Sequence, residues 1–274
     1  MMDALLPPEM AARAEEIGVT KAGAERVRTF VLAILAGAFI ALGAVFSTVV
    51  VSGAAGILPF GVIRLLAGLA FSLGLVLVSV GGAELFTGNN LIVMAWASGK
   101  ISIFRLLRNW CLVYLGNFTG ALATAGIVFL ADHHRLGGGL VGETAIQIAH
   151  AKMGHGMLPA FLLGVLGNAL VCLAVWLTYS ARTTVDRIIA VVPPITAFVA
   201  AGFEHCIANM YFIPFAMLIE GPGSITWSAF VFKNLLPVTL GNCVGGALLV
   251  GAMYWFVYHA AARGLRSRSA QRSR

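Results

Sequence analysis

The chain of 274 residues is 59% hydrophobic, and Asp, Glu, Lys and Arg make up only 11% of it, where an ordinary soluble domain carries about 25%. So little charge cannot cover the surface of the soluble domains that this length would otherwise suggest. Four cysteines, all within apolar runs, exclude a disulfide-rich secreted scaffold. The 32 glycines fit membrane helices, where glycine is commoner than in soluble ones. The composition is that of an integral membrane protein.

The chain opens MMDALLPPEM, with no basic stretch ahead of an apolar run. No cleavable signal peptide is expected, and the first spanning helix directs insertion. Residues 9–28 mix Glu15, Glu16, Lys21, Glu25, Arg26 and Arg28 with alanines, which predicts a short amphipathic helix outside the bilayer; 1–28 is read as a cytoplasmic segment of its own. Six hydrophobic stretches follow, at 29–53, 58–81, 109–131, 157–180, 188–219 and 234–260, and each supplies the ~20 apolar residues of a span. Together they make a channel domain over 29–260. The remainder, 261–274, is a basic tail with five arginines from Arg263 onward, expected to attract anionic lipid rather than nucleic acid. With the N-terminus inside, fourteen basic residues fall on the inner side and four (Arg64, Arg135, Lys152 and Lys233) on the other. That asymmetry predicts both termini in the cytoplasm.

The two halves repeat a pattern. Gly82-Ala83-Glu84-Leu85-Phe86-Thr87-Gly88-Asn89 and Gly202-Phe203-Glu204-His205-Cys206-Ile207-Ala208-Asn209 both read G-x-E-x4-N. Downstream, Arg108-Asn109 leads into Leu115-Gly116-Asn117-x-x-Gly120, and Lys233-Asn234 into Leu240-Gly241-Asn242-x-x-Gly245. Three helices per half is an odd number, so the second half must enter the membrane upside down. Inverted repeats with a site at their interface are a transporter architecture. Both G-x-E-x4-N segments lie inside stretches too long for one span, at 62–98 and 188–219. An ionised group at mid-bilayer costs ~2.5–3.5 kcal/mol on insertion scales, so each stretch is read as a broken helix whose polar turn reaches the membrane centre. Irregular backbone at that depth must be buried in protein or line a watery path.

Each polar residue also has a plain reading. Glu84 and Glu204, with Asn89 and Asn209 of the same motifs, are expected to be structural, the carboxylates tying broken backbone N–H groups together. Asn117 and Asn242 read equally well as interhelical glue or as pore lining. His205 is different, because Leu85 occupies its place in the first half, and an asymmetric ionisable group in a symmetric core points to function. Thr87, opposite Ile207, is asymmetric too. Phe71, Leu75, Phe86, Val171 and Phe198 read as core by periodicity. Lys152 reads as a solvated lysine in an outer loop, and His150, His155 and Glu143 near it give only a weak metal-site signal. Cys206 beside His205 makes no nucleophile–base pair, since adjacent helical residues do not face each other. No catalytic residue, metal or cofactor is expected.

At these residues the sequence resembles the formate/nitrite transporter family, over Leu5-Leu6-Pro7 to about Tyr258. The resemblance is carried by GAELFTGN (82–89), NWCLVYLGN (109–117), GFEHCIANM (202–210) and NLLPVTLGNCVGG (234–246), with 170–182 and 206–214 most like the formate channel branch. It implies an all-α fold of six transmembrane helices per protomer, two of them broken, in an aquaporin-like arrangement. It also implies a homopentamer in the inner membrane with one pore per protomer, passing formate, nitrite or other small monovalent anions or their acids. By motif position, Thr87 and His205 would form a central polar pair with Asn168 and Asn242 nearby. Phe71 and Phe198 would narrow the outer side, and Leu75, Leu85, Phe86 and Val171 the inner side. Lys152 would stand at the outer approach, and the N-terminal helix would occlude the pore or bind a partner. The chain departs from the family pattern at Cys206, often Ser there, at Gly88-Asn89-Asn90 after Thr87, and in a short loop over 220–232.

An anion crossing an apolar constriction meets a prohibitive desolvation cost, while its neutral acid meets far less. The expected mechanism has Lys152 and the positive ends of half-helices attract the anion. His205, through Thr87 or water, then supplies or orients a proton. The rival reading is a channel for water, glycerol or ammonia, but the chain has no pair of Asn-Pro-Ala turns. An intramembrane hydrolase or a purely structural protein fits less well, as neither accounts for His205.

Overall fold

The computed structural model describes residues 4–260, so the tail arginines from Arg263 on lie outside the described residues. Every element among the described residues is helical. Five helices are long and apolar enough to cross a membrane: Arg26–Val51, Phe60–Gly81, Ile103–Leu130, Met157–Thr178 and Trp227–Tyr258. The chain is a multi-pass membrane protein.

Helix α1 (Pro7–Gly23) has prolines in its first turn, where a missing N–H costs nothing. Glu25 then caps α2 (Arg26–Val51) by accepting the N–H groups of Val27 and Arg28 at 3.0 and 2.9 Å. These bonds, that of Arg28 foremost, hold the Glu25 carboxyl below the usual carboxylate range. The predicted segment boundary at 28 thus falls inside a spanning helix. Nor is α1 a detached strap. Met10, Ala11, Ala14, Glu15, Gly18 and Ala22 are buried, and Glu15 is bound by Lys100 at 2.5 Å and by the Ser98 hydroxyl. Ser98 in turn accepts from Trp255 Nε1 at 2.8 Å, which joins α1 to the C-terminal helix.

The two long stretches are both broken. Helix α3 (Phe60–Gly81) ends at Gly82, and after an irregular segment the chain resumes as a 3-10 turn, Gly88–Ile92, and a short α4, Val93–Ala97. Beyond α5 (Ile103–Leu130), α6 (Leu140–Met153) and α7 (Met157–Thr178), helix α8 (Thr184–Ala200) stops and α9 (Cys206–Glu220) begins at Cys206. Gly82 and Gly202, the first residues of the two motifs, have φ of 76° and 78°, a left-handed turn that a Cβ would strain. The predicted span at 188–219 is therefore two helices, the span predicted at 109 begins six residues earlier, at Ile103, and the 131–156 loop contains α6. The C-terminal helix (Trp227–Tyr258) alternates between α and π register.

Helix α5 packs on α2, and the C-terminal helix packs on α7. Each contact closes on the last glycine of its repeat motif. A Cβ on Gly120 would strike the Ile34 carbonyl, and one on Gly245 the Val165 carbonyl. Small residues at such crossings let backbones approach where no hydrophobic effect drives helices together. Gly120→Val and Gly245→Val are each expected to destabilise the fold by about 1–3 kcal/mol through overpacking, read as a lower unfolding temperature in detergent. Gly126→Val, at a position with no neighbour within 4 Å, is the control that leaves the transition in place.

Candidate functional site

The unwound backbone at each break must find partners, because an orphaned N–H or C=O in a dry interior costs several kcal/mol. One asparagine serves each break. Asn117 Oδ1 accepts the Phe86 N–H at 2.9 Å, and its Nδ2 donates to the carbonyls of Ala33 (2.7 Å) and Glu84 (2.9 Å). Asn242 Oδ1 accepts the Cys206 N–H at 2.9 Å, and its Nδ2 donates to Gly164 (2.8 Å) and Glu204 (3.0 Å). The breaks are completed by Glu84 N–H on the Leu32 carbonyl and Glu204 N–H on that of Leu163, both 3.2 Å. In both halves the asparagine bonds join a helix to a break.

The carboxylates do something else than expected. Rather than collecting backbone N–H groups, each meets a lysine and an asparagine amide. Glu84 Oε1 lies 3.2 Å from Lys21 Nζ, and its Oε2 accepts from Asn89 Nδ2 at 2.7 Å. Glu204 Oε1 lies 2.9 Å from Lys152 Nζ, and its Oε2 accepts from Asn209 Nδ2 at 2.6 Å. The motif asparagines reach onward to Asn109 and Asn234, which donate back to the carbonyls of Lys21 and Lys152 at 3.2 and 3.0 Å. A burial cost that neither charge could meet alone is offset by pairing. Lys152 is therefore not a solvated loop lysine. It sits in the last turn of α6 with its side chain 15% exposed, and its ammonium lies 5.6 Å from the centre of the Phe212 ring.

Lys21, Asn109 and Asn234 escaped sequence reasoning as site residues. A signal existed: Lys21-Ala22-Gly23 and Lys152-Met153-Gly154 share K-x-G, and in both cases the next helix is capped four residues after the lysine, at Glu25 and Gly156. The repeat thus extends into α1.

Between the breaks, Thr87 Oγ1 and His205 Nε2 meet at 2.9 Å, both side chains buried. His205 caps α9, and its Nδ1 accepts the Ala208 N–H at 3.2 Å. An Nδ1 used as acceptor leaves the ring proton on Nε2, so the imidazole donates to Thr87. A second proton at Nδ1 would face the Ala208 N–H, donor against donor, at the positive end of α9.

Two cavities lie among the described residues, and neither Thr87 nor His205 is among the residues that line them. One, of about 750 Å³, is lined by Lys21, Glu84, Leu75, Val78 and Leu85 among others. The second, of about 510 Å³, is lined by Lys152, Glu204, Phe71, Phe198, Arg64 and His155 among others. On α3, Phe71 lines the second cavity and Leu75, one helical turn or about 6 Å further along, lines the first. Phe71 and Phe198 meet edge to face with centroids 6.0 Å apart, and Phe198 lies 5.8 Å from the His205 ring. Arg64 donates to the carbonyls of Ala200 (3.1 Å) and Val199, neutralising the negative end of α8.

Besides Thr87 and His205, four residues predicted for the pathway or its constrictions are not among the residues lining the cavities. Phe86 packs edge-on against Trp110 and Tyr114, 6.0 and 5.0 Å away. Val171 is buried in the core. Asn242 is the fastener described above. Asn168 Nδ2 reaches Asn90 Oδ1 (2.7 Å) and the carbonyls of Asn242 (2.6 Å) and Thr87 (3.4 Å), stitching the two breaks together. His150 pairs with Glu220 at 2.8 Å, and no group of three or more metal-ligating side chains converges among the described residues.

Asn117→Ala and Asn242→Ala each orphan one N–H and two carbonyls. Both are expected to destabilise the fold by about 1–3 kcal/mol or more and by similar amounts, since their bonds match. Thermal unfolding in detergent checks this, and a loss confined to one of the two would break the equivalence.

Comparison with known proteins places this geometry. A family model described as formate/nitrite transporter matches residues 8–256. The formate channel FocA of Escherichia coli (strain K12) is 43% identical over 272 residues, covering 93% of this chain and 95% of its own. FocA of Haemophilus influenzae (strain ATCC 51907 / DSM 11121 / KW20 / Rd) is 39% identical over 264 residues, covering 90% and 93%. Among solved structures, a pentameric formate channel with formate bound superposes with a TM-score of 0.79 at 44% identity, over 85% of this chain and 97% of that one. An ion channel of the FNT family gives 0.78 at 28% identity, over 92% and 98%.

Proposed function

The chain belongs to the formate/nitrite transporter family, and from that premise we propose that it is a membrane channel for formate that assembles as a pentamer with one pore in each protomer. The observation that carries this reading is the buried Thr87–His205 pair joining the two breaks, with a lysine–glutamate pair lining each of the two cavities. The matched bonding of the two breaks supports two inverted three-helix repeats in an aquaporin-like arrangement. In this reading α8 and α9 together make the sixth span. Both termini lie in the cytoplasm, the Lys21 cavity opens inward and the Lys152 cavity outward.

Formate is an anion at neutral pH, because carboxylic acids have pKa values near ~4. Carrying it bare through the ring of Phe71, Phe198, Leu75 and Leu85 would cost on the order of tens of kcal/mol in the Born limit. Lys152 and Lys21 draw the anion into the cavities. Falling dielectric then favours the neutral acid, which crosses one turn of apolar lining. A neutral His205 that donates through Nε2 has no proton to give without becoming an imidazolate. The proton therefore arrives from water in the cavity: formate and hydronium become formic acid and water. His205 and Thr87 orient the acid with hydrogen bonds. Formate and proton cross together, and acid on the uptake side drives influx. A neutral solute such as glycerol would gain nothing from two lysine–glutamate pairs.

Proteoliposomes are expected to take up labelled formate faster at about pH 5.5 than at about pH 7.5, with nitrite carried and glycerol excluded. His205→Asn keeps an N–H toward Thr87 and retains flux, whereas His205→Phe lowers it about tenfold or more, the worth of a hydrogen bond to a polar or charged group. Equal formate flux in His205→Phe, or glycerol flux with no response to formate, overturns the reading. Native mass spectrometry is expected to show a five-chain species.

A further inference from the structure

The carboxylate of Glu204 faces two side chains that can carry positive charge. Its Oε1 lies 2.9 Å from Lys152 Nζ and 4.0 Å from His155 Nε2, while Oε2 is occupied by Asn209. His155 sits in the turn between α6 and α7, its side chain is 35% exposed, and it lines the same cavity as Lys152, Phe71 and Phe198. The corresponding turn in the first half reads Lys21-Ala22-Gly23-Ala24, against Lys152-Met153-Gly154-His155 in the second. Both lysines pair with the motif glutamate, but Lys21 Nζ also donates to Asn89 Oδ1 at 2.8 Å, whereas the second half sets a titratable His155 beside its pair where the first half has alanine.

We propose that His155 is a proton-operated charge that strengthens anion capture from the Lys152 side alone, as the solution on that side becomes acidic. The inference rests on the formate reading and deepens it, since it names what sets the two mouths apart.

The charged and titratable groups around His155 come from four elements. Lys152 lies on α6, Glu204 in the break before α9, and Arg64 on α3, bound to the carbonyls at the end of α8. The His150–Glu220 pair joins α6 to the far end of α9, and Glu143 lies in the first turn of α6. With His155 neutral, Glu204 engages Lys152 at 2.9 Å and weakens the pull of its ammonium on an anion. With His155 protonated, one carboxylate oxygen is shared by two cations. The group then carries a net positive charge, and the Lys152 ammonium is less completely engaged. Both changes favour an incoming anion. Histidine is the side chain whose charge changes between about pH 5 and 8, so the gain is present at the acid end of that interval and is lost as pH rises through it. The first half of the chain has Ala24 at the corresponding position and gains nothing by this route.

The test is formate uptake into right-side-out and inside-out membrane vesicles, with the interior held at about pH 7.5 and the exterior varied between about pH 5.5 and 8. The share of neutral formic acid changes the half-saturating concentration smoothly, tenfold per pH unit, with no inflection in this range. His155 is expected to add a step of about tenfold to that smooth change, between about pH 5 and 8, in right-side-out vesicles only. His155→Gln removes the step and leaves the smooth line on its weak side at every pH. His155→Lys removes it and leaves the line on its tight side at every pH. A wild-type profile without the step, a step that survives in His155→Gln, or one equally present in inside-out vesicles overturns the inference. Such results leave the formate reading standing, because each is measured on a chain that carries formate. Absence of formate flux from the wild type in both kinds of vesicle instead overturns the formate reading and this inference with it.

Discussion

A helix broken in the middle of a membrane leaves backbone N–H and C=O groups that no water can reach, and the rest of this protein is arranged around satisfying them. Asn117 and Asn242 each close three of these bonds at once. To do so, α5 and the C-terminal helix must lie against α2 and α7, which is why Gly120 and Gly245 have carbonyls where a side chain would go. Once the two breaks are held, their free side chains are presented to each other, and Thr87 meets His205. The site is a by-product of the fastening.

The same economy explains the buried charges. Glu84 and Glu204 are nearly removed from solvent, and each is matched to a lysine and an asparagine amide. The lysines come from α1 and α6, helices that do not themselves span. These two helices therefore bring cations to the breaks from equivalent places in the two halves. For α1 this is a structural task within the fold, and the buried Glu15 with Lys100, Ser98 and Trp255 fixes it further.

Two cavities that each hold a lysine–glutamate pair are lined by residues one helical turn apart on α3, Phe71 and Leu75. In the proposed mechanism an anion then sheds its charge only over a short distance. The N-cap geometry of His205 uses Nδ1 as acceptor and leaves Nε2 as donor, which in the same proposal makes the imidazole a group that orients, where the sequence alone allowed it to supply a proton as well.

Composition, span lengths and the paired motifs were enough to read the membrane class, the two breaks and the asymmetry of Thr87 and His205, because these depend on residue type and spacing along the chain. Periodicity also marked Gly116, Asn117 and Gly120 with their counterparts, though it left open whether the asparagines line a pore or join helices. That choice depends on which atoms lie within hydrogen-bond reach of Nδ2 and Oδ1, a matter of distances between helices about 30 and 80 residues apart in sequence. The same limit hid Lys21, whose partner Glu84 lies 63 positions away, and made Lys152 look solvated when α6 folds it onto Glu204. Periodicity read Phe86 as core while the resemblance implied a constriction, and its ring packs against Trp110 and Tyr114. Sequence determined where backbone must break and which polar side chains were at hand. Only the tertiary structure decided which side chain satisfies which group, because in a dry interior pairing is set by three-dimensional reach and by the cost of leaving any partner unmet.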